Sequence, residues 1–239
     1  MRAFPQRSPN GFTLVELLVV IAIMGILLLV GAPAFHLLKG SGDFERDSRQ
    51  VKDLLDIARA HAKARNTYVY VGIAENSVAE SPAGGQSVRG TGRLVIAVMA
   101  SKDGTNNLDP DNLSLIRKID VLDHLHLAAP FAQGQGSMER PQADLHHFPS
   151  EIDLFSSGTF SATLGPALYR FQGDAAGGII PFNPEGIPLL GGQAVQWIEI
   201  DLQPTRGDAA PAPPGDINKG VHAAVVIDGS TGTVRLYHP

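Results

Sequence analysis

Hydrophobic and polar positions along this chain follow three successive patterns: an unbroken apolar run, a helical stripe and short alternating stretches. From Leu17 to Leu38 no Asp, Glu, Lys or Arg occurs. Those about 22 residues make roughly 33 Å of helix at ~1.5 Å per residue, enough to cross a bilayer core. Gly31 and Pro33 lie inside the run, and Pro33 should bend or loosen a helix because it donates no hydrogen bond. Lys39-Gly40-Ser41-Gly42 then marks a soft joint or break. Beyond it Phe44, Val51, Leu54, Leu55, Ala58 and Ala62 fall on one stripe, with Lys52, Asp53, Asp56, Arg59 and Lys63 opposite. That period predicts an amphipathic helix over 39–66, stopped at Asn66 and packed on a sheet.

After Asn66 the period shortens. Tyr68–Ala74, Arg93–Ala100, Leu115–Val121, Ile152–Phe155, Ala167–Gln172 and Val195–Leu202 read as strands, as do Ile179 onward, Val221–Ile227 and Thr233–Tyr237. Asp228-Gly229-Ser230-Thr231-Gly232 joins the last two as a hairpin. Residues 75–92, 101–112, 128–149 and 204–216 read as loops rich in Gly, Pro, Ser or Asp. The pattern gives an α+β chain with antiparallel strands: a long N-terminal helix of two halves, 12–38 and 39–66, and a β-rich head over 67–239.

Composition narrows the picture modestly. At 239 residues the chain has room for one real core beyond the apolar helix. A net charge of −5 argues against a broad nucleic-acid footprint. With no Cys there is neither a disulfide framework nor a thiolate metal site.

What precedes the apolar run carries the sharpest signal. Met1–Gly11 holds Arg2 and Arg7 and no acidic residue, and Gly11-Phe12-Thr13-Leu14-Val15-Glu16-Leu17 follows. This stretch resembles the class III signal of type IV pilins and type II secretion pseudopilins. The resemblance implies cleavage after Gly11 by a membrane prepilin peptidase, and methylation of the new N-terminal Phe12. Gly25 and Pro33 match a helix-weakening Gly and Pro found in many pilin helices. A second, weaker resemblance runs from Ile57 to Asn66 and into Tyr68-Val69-Tyr70-Val71. It is similar to the helix end and first strand of H-type minor pseudopilins and FimT-like minor pilins. Phe182-Asn183-Pro184-Glu185-Gly186 and the terminal hairpin also resemble elements of that group.

Glu16 has a physical reading beside the resemblance. A freed Phe12 amine would lie four residues before Glu16, on the same helix face. A buried carboxylate is tolerable when paired and costly alone, so Glu16 can meet the amine of a staggered neighbour and set axial register. An ordinary secretory signal fits poorly, since the apolar run is too long and contains Glu16; Ala32-Pro33-Ala34 only faintly imitates its cleavage site. A plain single-pass anchor explains the length but not the Gly-Phe-x-x-x-Glu spacing.

Candidate chemistry elsewhere is thin. Asp123, His124, His126, His146 and His147 are the one His-rich group, and His124 with His126 on a strand could ligate zinc; packing or surface roles are the simpler reading. Asp103, Asn107, Asp109 and Asp111 offer hard oxygens for Ca²⁺ but lack the full EF-hand spacing. There is no Gly-x-Ser-x-Gly elbow, and Tyr68, Tyr70 and Arg65 make a weak nucleic-acid platform. No catalytic residue, cofactor site or metal site is therefore assigned.

The expectation is a minor pilin or pseudopilin in a pilin-like fold, anchored singly in the inner membrane with its N-terminus cytoplasmic and its head in the periplasm or outside. Its partners would be the prepilin peptidase, other pilin or pseudopilin subunits of a hetero-oligomeric filament, and the inner membrane; nucleic acid is not expected. Processing falls on Gly11 and Phe12, assembly on Phe12, Glu16, Gly25 and Pro33. The alternatives are an adhesin or DNA-binding tip pilin, and a membrane-anchored extracytoplasmic enzyme.

Overall fold

The structure is a computed structural model that describes residues 13–79, 86–131, 140–141, 143–155, 158–205, 207–209, 211 and 221–238. The side chains of 28–41 lie outside the described set, as do the leader with Gly11 and Phe12, the side chain of Pro33, and parts of the three long connections. The chain divides into two compact units, Met1–Gly42 and Asp43–Pro239.

One helix, α1 (Leu14–Arg65), runs through both expected halves, 12–38 and 39–66, within a residue or two of their outer ends. The expected break at Lys39–Gly42 is not an interruption, because the helix continues through it, although the boundary between the units falls at Gly42. In the second unit the stripe is buried: Val51, Leu55, Ala58 and Ala62 have no exposed surface, and Phe44 and Leu54 almost none. The opposite face carries i,i+4 ion pairs, Arg49 to Glu45 at 2.7 Å and Lys52 to Asp56 at 2.6 Å, each a modest local support.

The head of the second unit is built on two five-stranded sheets. The first comprises β1 (Val69–Ser77), β2 (Gly92–Ser101), β3 (Leu113–Leu115), β4 (Asp120–Asp123) and a later strand, β9 (Gly177–Phe182); its order is β3-β2-β1-β9, with β4 also on β2, and every pair is antiparallel. The second comprises β5 (Leu125–Leu127), β6 (Leu145–Phe148), β12 (Trp197–Pro204), β13 (Ala223–Asp228) and β14 (Val234–Tyr237). Its order is β14-β13-β12-β5, and β6 joins β12 in parallel. Two hairpins complete the head, β7 (Thr159–Leu164) with β8 (Ala167–Gln172), and β10 (Leu189–Leu190) with β11 (Gln193–Ala194).

One apolar core joins the helix to both sheets. The α1 stripe shares it with Val69, Val71 and Ile73 of β1, Ile96 and Val98 of β2, Ile198, Ile200 and Leu202 of β12, and Val225 and Ile227 of β13. The far face of the first sheet has its own core, where Tyr70, Val95, Ala97 and Ile179 meet Phe160 and Phe171 of the β7–β8 hairpin. Those two rings stack at 4.9 Å over Gly72. Glu75, buried on β1, bridges the sheets: it accepts from Gly92 N at 3.0 Å on β2 and Leu127 N at 3.2 Å on β5, and contacts His126 Nδ1 at 2.8 Å.

Several expectations need correction. Ile152–Phe155 is not a strand but a single helical turn, α2 (Ile152–Phe155), with Phe155 buried edge-on against Phe148 at 4.9 Å. A four-residue apolar run carries no period to decide between the two. Leu115–Val121 is not one strand; β3 ends at Leu115 and β4 starts at Asp120. Residues 128–149 are not wholly irregular, since β6 lies within them. The Asn183 turn does behave as a turn: its Oδ1 accepts from Glu185 N and Ile187 N, with Gly186 at φ +73°.

A Cβ at Gly72 would stand 2.5 Å from Phe160 Cζ and 2.6 Å from Phe171 Cγ. Gly72→Ala should therefore lower stability by about 1–3 kcal/mol through overpacking. Gly42→Ala, at a helical position with nothing within 4 Å, should instead stabilise by up to about 1 kcal/mol. Denaturant unfolding of the two variants reads both the sizes and the opposite signs.

Candidate functional site

Two places in the chain carry more than packing. The first is the start of α1. Thr13 and Glu16 form a reciprocal cap: Thr13 N and Thr13 Oγ1 donate to Glu16 Oε2 at 2.9 and 3.0 Å, and Glu16 N donates to Thr13 Oγ1 at 3.2 Å. This is the Thr-x-x-Glu capping box, which satisfies donors that a helix start leaves orphaned. The sequence reading passed over it, though the spacing was there to see. Glu16 is thus an exposed carboxylate with a structural task of its own.

From Leu14 to Leu27 the helix shows apolar side chains on every face. Leu14 is 80% exposed, Ile21 59% and Leu27 65%, with no apolar stripe turned inward. A helix apolar all round belongs in a core or in lipid. Gly25 sits in this stretch with nothing within 4 Å of a built Cβ. Among the described residues no helix is long and apolar enough to cross a membrane, the description of side chains ending at Leu27.

The second place is the face of β12 turned away from the main core. Glu199 and Asp201, two apart on the strand, are 0% and 1% exposed. His147 of β6 is the register partner of Glu199 and so shares its face. Its Nδ1 stands 3.4 Å from Glu199 Oε1 and 3.6 Å from Asp201 Oδ2. Arg140, also buried, places Nη1 2.9 Å from Glu199 Oε2, and Phe131 N donates to Asp201 Oδ2 at 3.3 Å. The apolar surround is Ala128, Phe131, Ala224, Val226 and Trp197. Asp201 and then Glu199 hold the His147 imidazole well above its ordinary value, at about 9. Burial, with the like charge of Glu199, pushes the Asp201 carboxyl up to about 7.

The residues singled out from sequence are scattered by comparison. His124 is exposed at φ +70°, His126 faces Glu75, and His146 Nδ1 lies 2.8 Å from Glu151 Oε2. Asp123 pairs with Arg93 at 2.6 Å. The structure does not bring these into one shell; of the five, only His147 joins a cluster with metal-ligand atoms, and its companions are Glu199 and Asp201. The Asp103 carboxylate accepts through Oδ1 from four donors of its own loop, Thr105 N, Thr105 Oγ1, Ser101 Oγ and Asn112 Nδ2. Those donors hold it well below the usual carboxylate range. Its contribution to loop order is therefore present above the ordinary carboxylate value and lost as pH falls below it. Asn107 Oδ1 and Asp109 Oδ1 likewise serve backbone N–H groups, of Asp109 and Asp111. That loop is a hydrogen-bonded turn.

Comparison with known proteins bears on the first place only. Residues 6–32 match the prokaryotic N-terminal methylation motif. The matched stretch takes in Gly11, Phe12, Glu16 and Gly25 and stops one residue before Pro33. This prepilin-type signal supports a type IV pilin-like or pseudopilin protein with a membrane-anchored N-terminus. No curated protein and no solved structure matches the chain.

Removing one member of the buried quartet exposes the cost of the rest. Arg140→Met leaves Glu199 without its guanidinium and should destabilise the head by about 3–5 kcal/mol. Pairing it with Glu199→Gln should recover part of that loss, and a double-mutant cycle in denaturant measures the coupling.

Proposed function

We propose that the chain is a minor pilin or pseudopilin, a structural subunit of a type II secretion or type IV pilus-like filament. Prepilin peptidase cuts between Gly11 and Phe12, and the Phe12 amine is then methylated. The apolar start of α1 holds the subunit singly in the inner membrane, N-terminus inside and head outside, until it is drawn into a filament with other subunits. Its task is mechanical rather than catalytic.

The observation that carries this reading is the methylation-motif match followed by a helix apolar on every face. Lipid and neighbouring α1 helices are the two environments that satisfy such a surface, and a filament subunit needs both in turn. The α+β architecture, with one long helix packed on antiparallel sheets, supports a pilin-like fold. The long connections between β1 and β2, β5 and β6, and β12 and β13 favour a low-copy tip or priming subunit over the repeating one.

Glu16 has two roles in this proposal, and one substitution separates them. Gln keeps an oxygen for the cap but removes the charge that a neighbour's amine would meet. Glu16→Gln should leave the protein inserted and processed, yet reduce its recovery in sheared filaments at least tenfold. Recovery at the wild-type level would reduce Glu16 to a helix cap. Intact mass of the mature chain tests processing separately: the expected species starts at Phe12 and carries one added methyl group.

A further inference from the structure

The face of β12 that holds Glu199 and Asp201 is a costly place for two carboxylates. Its apolar neighbours Ala128, Phe131, Ala224 and Val226 are buried, with Trp197 and Tyr237 partly so. Side chains of matching volume without charge would pack on that face at less cost. The hydrogen bonds that normally justify burial are few: Asp201 Oδ2 accepts from Phe131 N and Arg140 Nη1 stands 2.9 Å from Glu199 Oε2, but Glu199 Oε1 and Asp201 Oδ1 make none, nor does His147 Nδ1 opposite them. Buried polar atoms of this kind call for a partner.

The spacing says what kind of partner fits. His147 Nδ1 is 3.4 Å from Glu199 Oε1 and 3.6 Å from Asp201 Oδ2. A charge-assisted N–H···O bond closes to about 2.7–2.9 Å. Donor atoms around a tetrahedral ion with bonds of ~2.1 Å stand about 3.4 Å apart, the edge of that tetrahedron. One atom from each of the three residues lies within 4.8 Å of the others. One imidazole nitrogen with two carboxylate oxygens, at this spacing, is a zinc-type set rather than a site for the larger, all-oxygen Ca²⁺.

Arg140 completes the arrangement. It faces Glu199 Oε2, the oxygen turned away from His147, and its Nη2 lies 3.5 Å from Phe131 O. It thus offsets one of the two carboxylates and orients it, as an outer-shell partner does, leaving Oε1 for an ion. We infer that His147, Glu199 and Asp201 form a site for a divalent transition-metal ion of the zinc type, which ties β6 to β12. The competing occupant of the same gap is a proton on His147, which would balance the same charges. The inference is independent of the filament reading, since it concerns the head alone.

The test uses the untagged full chain in detergent, stripped with EDTA and exchanged into metal-free buffer near neutral pH. Zinc is added, the chain is passed through a desalting column, and retained metal is counted by mass spectrometry. About one zinc per chain should remain, and the unfolding midpoint should rise by several degrees relative to the stripped protein. His147→Gln and Asp201→Asn should each lose at least nine-tenths of the retained zinc and the midpoint shift. A chain with both His124→Ala and His146→Ala should keep them, since those rings lie outside the cluster. Retention below a tenth of an ion by the wild type, or equal retention by His147→Gln, overturns the inference and leaves a protonated histidine between two acids. Because the wild-type titration alone can fail, a variant that does not fold cannot rescue the idea.

Discussion

The constraint on which the structure depends is that one helix must satisfy two different surroundings along its length. Over Phe44–Ala62 it offers a narrow apolar stripe, and two sheets close on that stripe to make a single core. Over Leu14–Leu27 it offers apolar surface all round, which the rest of the described chain leaves uncovered. Ala58 and Ala62, both with no exposed surface, let the sheets come close at the helix end, while Arg59 reaches across to the Thr231 carbonyl at 3.0 Å. The head is thereby organised by the half of the helix that it buries. A helix apolar on every face, as the other half is from Leu14 to Leu27, belongs in a core or in lipid.

Both sheets keep a second face busy, and this divides the head chemically. The first sheet backs onto a ring-filled core under the β7–β8 hairpin, with Gly72 leaving the space that Phe160 and Phe171 fill. The second sheet backs onto a smaller apolar patch interrupted by Arg140, His147, Glu199 and Asp201. Glu75 joins the sheets through satisfied hydrogen bonds, so a buried acid as such is not unusual here. Glu199 and Asp201 differ because Glu199 Oε1 and Asp201 Oδ1 make no hydrogen bond, although Phe131 N donates to Asp201 Oδ2.

Much of the helix and the long strands was readable from sequence because local period and burial agreed. The Phe44–Ala62 stripe, the Tyr68 and Arg93 strands and the Asp228–Gly232 turn each combine a pattern with suitable residues. Asp228 Oδ1 accepts from Ser230 N and Thr231 N, and a Cβ at Gly232 would overlap the Gly186 carbonyl oxygen. The failures share a cause as well. α2 is too short to show a period, and β6 is four residues whose pairing partner lies some fifty residues on, in parallel. The buried quartet was hidden for the same reason. Glu199 and Asp201 alternate with Ile198, Ile200 and Leu202, which reads as a solvent face until Ala128, Phe131 and β6 cover it. His147 was visible only as half of a His pair. Nothing local ties it to a strand that far away.

Glu16 illustrates how a carboxylate at the start of an apolar helix is held by its own chain. A carboxylate entering apolar surroundings alone faces a desolvation cost that a distant partner cannot offset in advance. The Thr13 cap supplies two donors from within the same helical turn, and both fall on Oε2. Oε1 takes neither bond. The cap therefore lowers the cost of holding a charge at the start of the helix. It also orients the carboxylate along the helix start, where the exposed N–H groups already favour negative charge. Thr13 and Glu16 thus act as one unit: the hydroxyl and N–H of the threonine hold the carboxylate, and the same hydroxyl accepts from Glu16 N, at the head of a helix that is apolar on every face from Leu14 to Leu27.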